Sequence, residues 1–246
     1  MCGRYVLQTP PELLQTLFQI QRLKYTPAPH YNIAPTQTVA AVVQSPTGTR
    51  GLVGLKWGLI PPWAKDESQA AKMINARSES VHEKPSFRDA FRERRCLILA
   101  DGFYEWKKGN KQPVYIHDAS ERPLAFAGIY SFWVNPRGQR IDTCAILTTA
   151  ANPKIEHIHH RMPVILGDEA AQNQWLDKQV TALEHLQPLL QAYPAEATAL
   201  RWVNPAVNKV STNSPQNLEP YTPEQPEAIP HENANVRLAG FDDLFN

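Results

Sequence analysis

The chain opens Met1-Cys2-Gly3-Arg4, and removal of Met1 would leave Cys2 with a free α-amine and a thiol on adjacent carbons. An α-amine titrates near ~7.8 against ~10.4 for lysine, so roughly a seventh of it is neutral at pH 7. A neutral amine condenses with an aldehyde, and the neighbouring thiolate can close onto the imine carbon. The product is a thiazolidine, a five-membered ring that hydrolyses far less readily than an imine. The substrate class that this pair selects is an aldehyde. A cysteine at position 2 also fits the accident of a frayed terminus, so other residues decide between the two.

Imine chemistry on a sugar aldehyde needs a proton shuttle near the amine, an acid for the ring oxygen, and fixed donors for hydroxyls and phosphates. Glu105 lies in Asp101-Gly102-Phe103-Tyr104-Glu105-Trp106, a carboxylate between two aromatics where desolvation would raise its pKa towards neutrality. Strand alternation would equally point it at solvent. His157, His159 and His160 crowd the segment Glu156-His157-Ile158-His159-His160-Arg161, where a histidine can serve as acid or phosphate donor. No cysteine or regular carboxylate pattern accompanies them, so neither a metal nor another cofactor is expected. Asn75-Ala76-Arg77-Ser78-Glu79 reads as the start of a helix, where amide, guanidinium and free backbone N–H groups converge on an anion. Local capping by Asn75 is the plain alternative. Two prolines stiffen Trp57-Gly58-Leu59-Ile60-Pro61-Pro62-Trp63, and a tryptophan exposed there could stack on an unpaired base. Core packing is the commoner use of such a ring.

These groups must be positioned by 246 residues, 42% hydrophobic and 20% charged, with a formal net charge of +1. That composition suits a globular domain and excludes nucleic-acid binding through a whole-protein basic field, so any such contact needs a local patch. Cys2, Cys96 and Cys144 are widely spaced, which fits a reducing compartment, and the cytoplasm is expected. No secretion signal and no membrane span are expected. Strand patterns occupy residues 38–43, 51–59, 96–106, 113–117, 124–133 and 141–149. Thr9-Pro10-Pro11-Glu12 reads as a capping box leading into Leu13, Leu14, Leu17 and Phe18. Asp168 should cap a helix carrying Trp175 and Leu176, and a third helix over 182–193 must absorb Pro188. Strands in runs with helices at the edges predict an α+β fold, a curled, largely antiparallel, barrel-like sheet with flanking short helices. The domain is expected over residues 1–220, and a flexible tail rich in proline and acidic residues over 221–246. There is no internal repeat, and a monomer is expected.

Taken in order, Cys2-Gly3-Arg4, Tyr31-Asn32-Ile33-Ala34-Pro35-Thr36, the 57–63 run, Asn75-Ala76-Arg77-Ser78-Glu79, the 101–106 run, Thr148-Thr149 and His160-Arg161-Met162-Pro163-Val164 closely resemble the SOS-response-associated peptidase family, the abasic-site processing proteins. The likeness covers roughly residues 2–220. Ser80, where threonine is frequent, and Gly128-Ile129-Tyr130, in place of a tryptophan-containing run, are modest departures. The resemblance implies a protein that recognises abasic sites in single-stranded DNA and forms a thiazolidine DNA–protein crosslink through Cys2, shielding the lesion. By the same resemblance Cys2, Asn75, Glu105 and His160 are catalytic, with His160 assisting ring opening and Glu105 shuttling protons. Arg4 and Arg77 would hold phosphates, and Pro35, Trp63, Trp106 and Thr149 would line the DNA channel.

Other functional classes stay open at this level. An N-terminal-nucleophile amidohydrolase also uses a terminal cysteine, a peptidase could be built from Cys2, His160 and Glu105, and a non-covalent single-strand-binding module would not need the thiol at all. The last residues, Phe241-Asp242-Asp243-Leu244-Phe245, resemble the end of a sliding-clamp-binding peptide without its usual glutamine, or an apolar end that docks on its own domain.

Overall fold

The computed structural model describes residues 2–107, 109 and 111–222. The expectations for the tail and for its apolar end at Phe241, Leu244 and Phe245 lie outside the described residues. The chain runs β1 (Tyr5–Leu7), α1 (Pro11–Leu17), β2 (Arg22–Leu23), β3 (His30–Ile33), β4 (Thr38–Gln44) and β5 (Arg50–Trp57). It continues with β6 (Asn75–Arg77), α2 (Arg88–Glu93), β7 (Arg95–Ala100), β8 (Gly102–Trp106) and β9 (Pro113–Asp118). The remaining elements are β10 (Leu124–Val134), β11 (Arg140–Ala150), β12 (Arg161–Pro163), α3 (Glu169–Leu176), α4 (Leu183–Leu186) and β13 (Thr198–Trp202).

This is the expected α+β architecture. Antiparallel pairing runs from β5 through β4, β7 and β10 to β11. A parallel contact, Thr143 with Lys56 and Cys144 with Trp57, brings β11 back to β5 and closes a barrel. The free edge of β5 is shared: β11 takes its end, while β2 takes its beginning through Arg22 with Gly51 and Leu23 with Leu52. A second sheet, ordered β13-β9-β8-β1-β3, is antiparallel throughout. β7 is buried at every position because both of its faces are covered, which explains its unbroken apolar run. The two sheets meet through Tyr5, set edge-on to Trp57 at 5.3 Å and to Phe126 at 5.9 Å, and through Phe103 at 6.0 Å from Phe126.

Four local expectations change. The single strand expected over 96–106 is two strands in two sheets, broken at Asp101. The Asp101 carboxylate accepts hydrogen bonds from Gln8 N–H at 2.6 Å, Thr9 N–H at 3.0 Å and the Thr9 hydroxyl at 2.5 Å. Its neighbour must be Gly102, since a Cβ there would lie 2.5 Å from the Ile116 carbonyl oxygen. Thr9 is thereby spent on Asp101, so the capping box does not form, and α1 starts at Pro11 without a side-chain cap. The helix expected over 182–193 shrinks to α4 and a 3₁₀ turn at Gln187–Leu189, where Pro188 has no N–H to give. Asn75-Ala76-Arg77 opens no helix: it is β6, taken up in parallel by β11 through Ile146, Leu147 and Thr148. Asp168 does cap α3, accepting from Ala171 N–H at 2.8 Å.

Asp101 therefore ties the exit of β1 to the corner between the sheets. Asp101→Ala is expected to lower stability by about 2 kcal/mol, because a charged acceptor of several bonds is lost. The measurement is the urea midpoint at constant slope; a midpoint equal to the parent's would show that the corner holds without the carboxylate.

Candidate active site

Cys2 precedes β1 and is fully buried. The Asn75 side-chain amide, delivered by β6, donates to the Cys2 carbonyl at 2.8 Å. β1 pairs with β8 in the register Tyr5 with Phe103 and Val6 with Gly102. Continued outward, that register sets Glu105 beside Gly3, one residue from Cys2. Glu105 is itself buried, at 4% exposure, and not turned to solvent as alternation alone allowed. Burial pushes its carboxyl up from the ordinary 4.5 to about 7. Burial also raises the Cys2 thiol, and the Glu105 charge raises it further, against a hydrogen bond from the Arg4 backbone N–H. Both acids thus favour their neutral forms, and Glu105 titrates where a shuttle at neutral pH needs to. Cys96 and Cys144 are buried in the core, where desolvation raises both thiols and leaves them poor nucleophiles.

Arg4 and Trp106 form the next layer. The Arg4 guanidinium donates to Asn32 Oδ1 at 2.8 Å and to the Val207 carbonyl at 3.1 Å, and lies 5.7 Å from the centre of the Trp106 ring. Trp106 Nε1 donates to Asn208 Oδ1 at 2.5 Å. Arg4, Trp106, Lys111 and Asn208 line an open cavity of about 370 Å³. Arg77 follows Asn75 by two residues on β6, and so projects from the same face. It is exposed and makes no ion pair among the described residues.

The other sequence-derived residues divide. Thr149 is buried on β11 opposite Met162. Pro35 is half-buried in the turn before β4, beside Thr36, whose φ of 72° is a left-handed conformation unusual for a β-branched residue. Thr36 N–H donates to the Trp57 carbonyl at 2.7 Å, which braces that turn. Of the two tryptophans around the prolines, Trp57 is core, its Nε1 donating to the Ile74 carbonyl, whereas Trp63 is 65% exposed. His160 is exposed, stacked on His159 at 4.5 Å, and among the described residues no hydrogen bond joins it to Cys2, Asn75 or Glu105. His159 is half-buried, and its Nδ1 accepts the Arg161 N–H at 3.0 Å.

Sequence reasoning assigned no role to Arg161 and Glu79 individually. Arg161 donates to both Glu79 oxygens, at 2.5 and 2.9 Å, and to the Thr148 carbonyl. That fork holds Glu79 below the usual carboxylate range and clamps the segment after β6 to β11 and β12. No three His, Cys, Asp or Glu side chains among the described residues gather in a way that could hold a metal ion. No helix among them is long and apolar enough to cross a membrane.

A family model described as SOS response associated peptidase (SRAP) matches residues 1–210. Abasic site processing protein YoqW of Bacillus subtilis (strain 168) is 43% identical over 226 residues, spanning 89% of this chain and 99% of the relative. Abasic site processing protein HMCES of Gallus gallus is 32% identical over 224 residues, spanning 78% of this chain and 66% of that one. A crystal structure of a protein from Bacteroides thetaiotaomicron superimposes with a TM-score of 0.79 at 25% identity, over 90% of this chain and 100% of the other. The α+β fold is shared with it.

The raised Glu105 carboxyl has a measurable sign. Between 4.5 and about 7 the folded chain binds more protons at Glu105 than the unfolded chain does, so this group makes stability fall as pH rises through that window. Glu105→Gln is expected to flatten that decline in urea midpoints measured across it. Parallel profiles for parent and variant would show that the buried carboxyl is not the titrating group.

Proposed function

The chain belongs to the SOS response associated peptidase family, and from that premise we propose that it processes abasic sites in single-stranded DNA by capturing the opened sugar on Cys2. The observation that carries the reading is the cluster of buried Cys2 and Glu105 with half-buried Asn75, beside a basic and aromatic cavity. An abasic deoxyribose is a hemiacetal in equilibrium with a small population of open aldehyde. Opening removes the proton on O1 and protonates the ring oxygen, a transfer that a positioned histidine assists. With Met1 removed, the Cys2 amine adds to C1′, the hydroxyl of the adduct leaves as water after protonation by Glu105, and the C=N bond forms. The sulfur then adds to the imine carbon while the thiol proton passes by way of Glu105 to nitrogen. The sum is loss of one water, with no oxidation or reduction. Asn75 holds the Cys2 carbonyl and so aims both nucleophiles at one carbon.

The ring-opening role falls to His159 in preference to His160. The His159 ring is half-buried and oriented by the Arg161 backbone, whereas His160 is exposed. Arg4 and Arg77 hold phosphates flanking the lesion. Trp106 and Trp63 offer faces for unpaired bases, and Pro35 and Thr149 line the channel. The same thiol and carboxyl would serve limited self-cleavage after Met1, the one peptidase step this reading needs. The protein acts as a cytoplasmic monomer whose tail, ending Phe241-Asp242-Asp243-Leu244-Phe245, is assigned to the replication sliding clamp; deleting residues 236–246 should abolish clamp binding in a direct affinity measurement.

Intact-mass analysis of the Met1-processed protein with a single-stranded oligonucleotide bearing one abasic site is expected to show a heat-stable one-to-one adduct, lighter by one water than its parts. Cys2→Ala keeps the amine but loses the sulfur, so its adduct should be transient and the strand should be nicked by β-elimination. A Cys2→Ala adduct as stable as the parent's would exclude the thiazolidine, and no adduct from processed parent would favour the amidohydrolase. His159→Ala should slow capture by roughly 10²-fold, with His160→Ala close to the parental rate; the opposite order would return the role to His160.

A further inference from the structure

A second concentration of unpaired cations lies away from Cys2. Arg22, Lys24 and Lys178 line a cavity of about 290 Å³ together with Ser45, Thr47, Thr49 and Tyr130, and no carboxylate lines it. Its place follows from the way the barrel closes. β11 seals the end of β5 only, at Lys56 and Trp57, and the beginning of β5 is left to the two-residue β2, whose Arg22 pairs with Gly51. Arg22 stands in β2 and Lys24 at the bend just after it, where its N–H donates to the Leu52 carbonyl at 2.9 Å, and both line the cavity. The hairpin turn between β4 and β5 brings the hydroxyls: Ser45 Oγ accepts Thr49 N–H at 3.0 Å and lies 2.9 Å from Thr47 Oγ1. Asn75, which holds the Cys2 carbonyl, pairs with Ile146 beyond the Cys144–Trp57 contact, whereas the cavity lies at Gly51 near the beginning of β5, so about 25 Å of strand separates the two regions.

Three cations face this cavity, against two in the one beside Cys2. Several other cations are matched by neighbouring carboxylates, as in Lys56–Glu67, Arg88–Asp89, Arg94–Glu93 and Arg140–Asp142. Arg22, Lys24 and Lys178 have no ion-pair partner among the described residues. Three like charges facing one concavity repel one another, and a bound anion relieves that repulsion. An arginine fork with two lysines and several hydroxyls suits tetrahedral, multiply charged oxygen acceptors better than a single carboxylate.

We propose that this cavity is a phosphate-recognition site distinct from the Cys2 cluster, taking the phosphate groups of a nucleic-acid strand or of a free phosphate compound. The site does not depend on the chemistry assigned to Cys2. The probe is pyrophosphate, titrated into the full chain at low ionic strength and followed by amide chemical shifts. Saturable shifts are expected at Ser45, Thr47, Thr49 and Gly51. Replacing all three cations by glutamine (R22Q, K24Q, K178Q) keeps the aliphatic stems of exposed or half-buried residues, and should weaken binding by about tenfold or more, about 1.4 kcal/mol. Thermal unfolding and the Cys2-dependent adduct should stay at parental levels, and Lys178→Arg should retain binding. Competition by a lesion-free oligonucleotide would assign the site to strand phosphates, and absence of competition would assign it to a free phosphate compound. No saturable shift, or equal affinity in the triple variant, would overturn the proposal.

Discussion

Tyr5 occupies the contact between the two sheets, edge-on to both Trp57 and Phe126, and this burial governs where Cys2 can be. A chain terminus ordinarily frays because nothing offsets the backbone entropy of ordering it, ~1–2 kcal/mol per residue. Burying an aromatic of this size contributes ~1.5–3 kcal/mol, and each favourable ring pair about 0.5–1.5 kcal/mol more. β1 is also paired on both edges, by β3 and β8. The segment around Cys2 is therefore ordered by contacts that lie three residues further along the chain, in the core and not in the site.

That burial also sets the chemistry. Cys2 and Glu105 are both acids, both desolvated, and close enough that charge on one raises the other. Neither gains by ionising alone. Such a pair exchanges a proton with an incoming group without first reorganising water, which is what a condensation followed by ring closure asks of it. Asn75 completes the cluster from the opposite sheet. Because β6 is parallel to β11, the position of its amide is inherited from the barrel wall.

With a net charge of only +1, the location of unpaired cations matters more than their number. Arginine serves three ends here. Arg161 is consumed by Glu79 and a backbone carbonyl, and works as a clamp. Arg4 is half spent, one nitrogen pinned to Asn32 and Val207 while its plane lies near Trp106. Arg77, like Arg22 at the other end of the barrel, is left without a counter-charge among the described residues. Only groups of the last kind have charge to offer an incoming phosphate at no cost in broken pairs.

What the sequence determined by itself was whatever rests on local pattern and functional-group chemistry. The amine–thiol pair of Cys2 is a covalent fact, apolar runs rich in β-branched and aromatic residues mark the long strands β4, β5, β10 and β11, and the Asp168 cap needs only its own first turn. The α+β class follows from the order of those runs. Three-residue strands escape such reading, because their hydrogen bonds are supplied from far along the chain. Asn75-Ala76-Arg77 carries the polar, N-cap-like signal of a helix start, yet its backbone is claimed by Ile146, Leu147 and Thr148. Thr9 looked like a cap until Asp101, 92 residues away, took its hydroxyl. The same holds at the site: adjacent histidines, or two tryptophans flanking a pair of prolines, are equivalent in sequence. Only tertiary packing buries Trp57 and exposes Trp63, and turns His159 inward while leaving His160 in solvent. Burial depends on what lies across the contact, and for these residues the contact is made by segments that no local window contains.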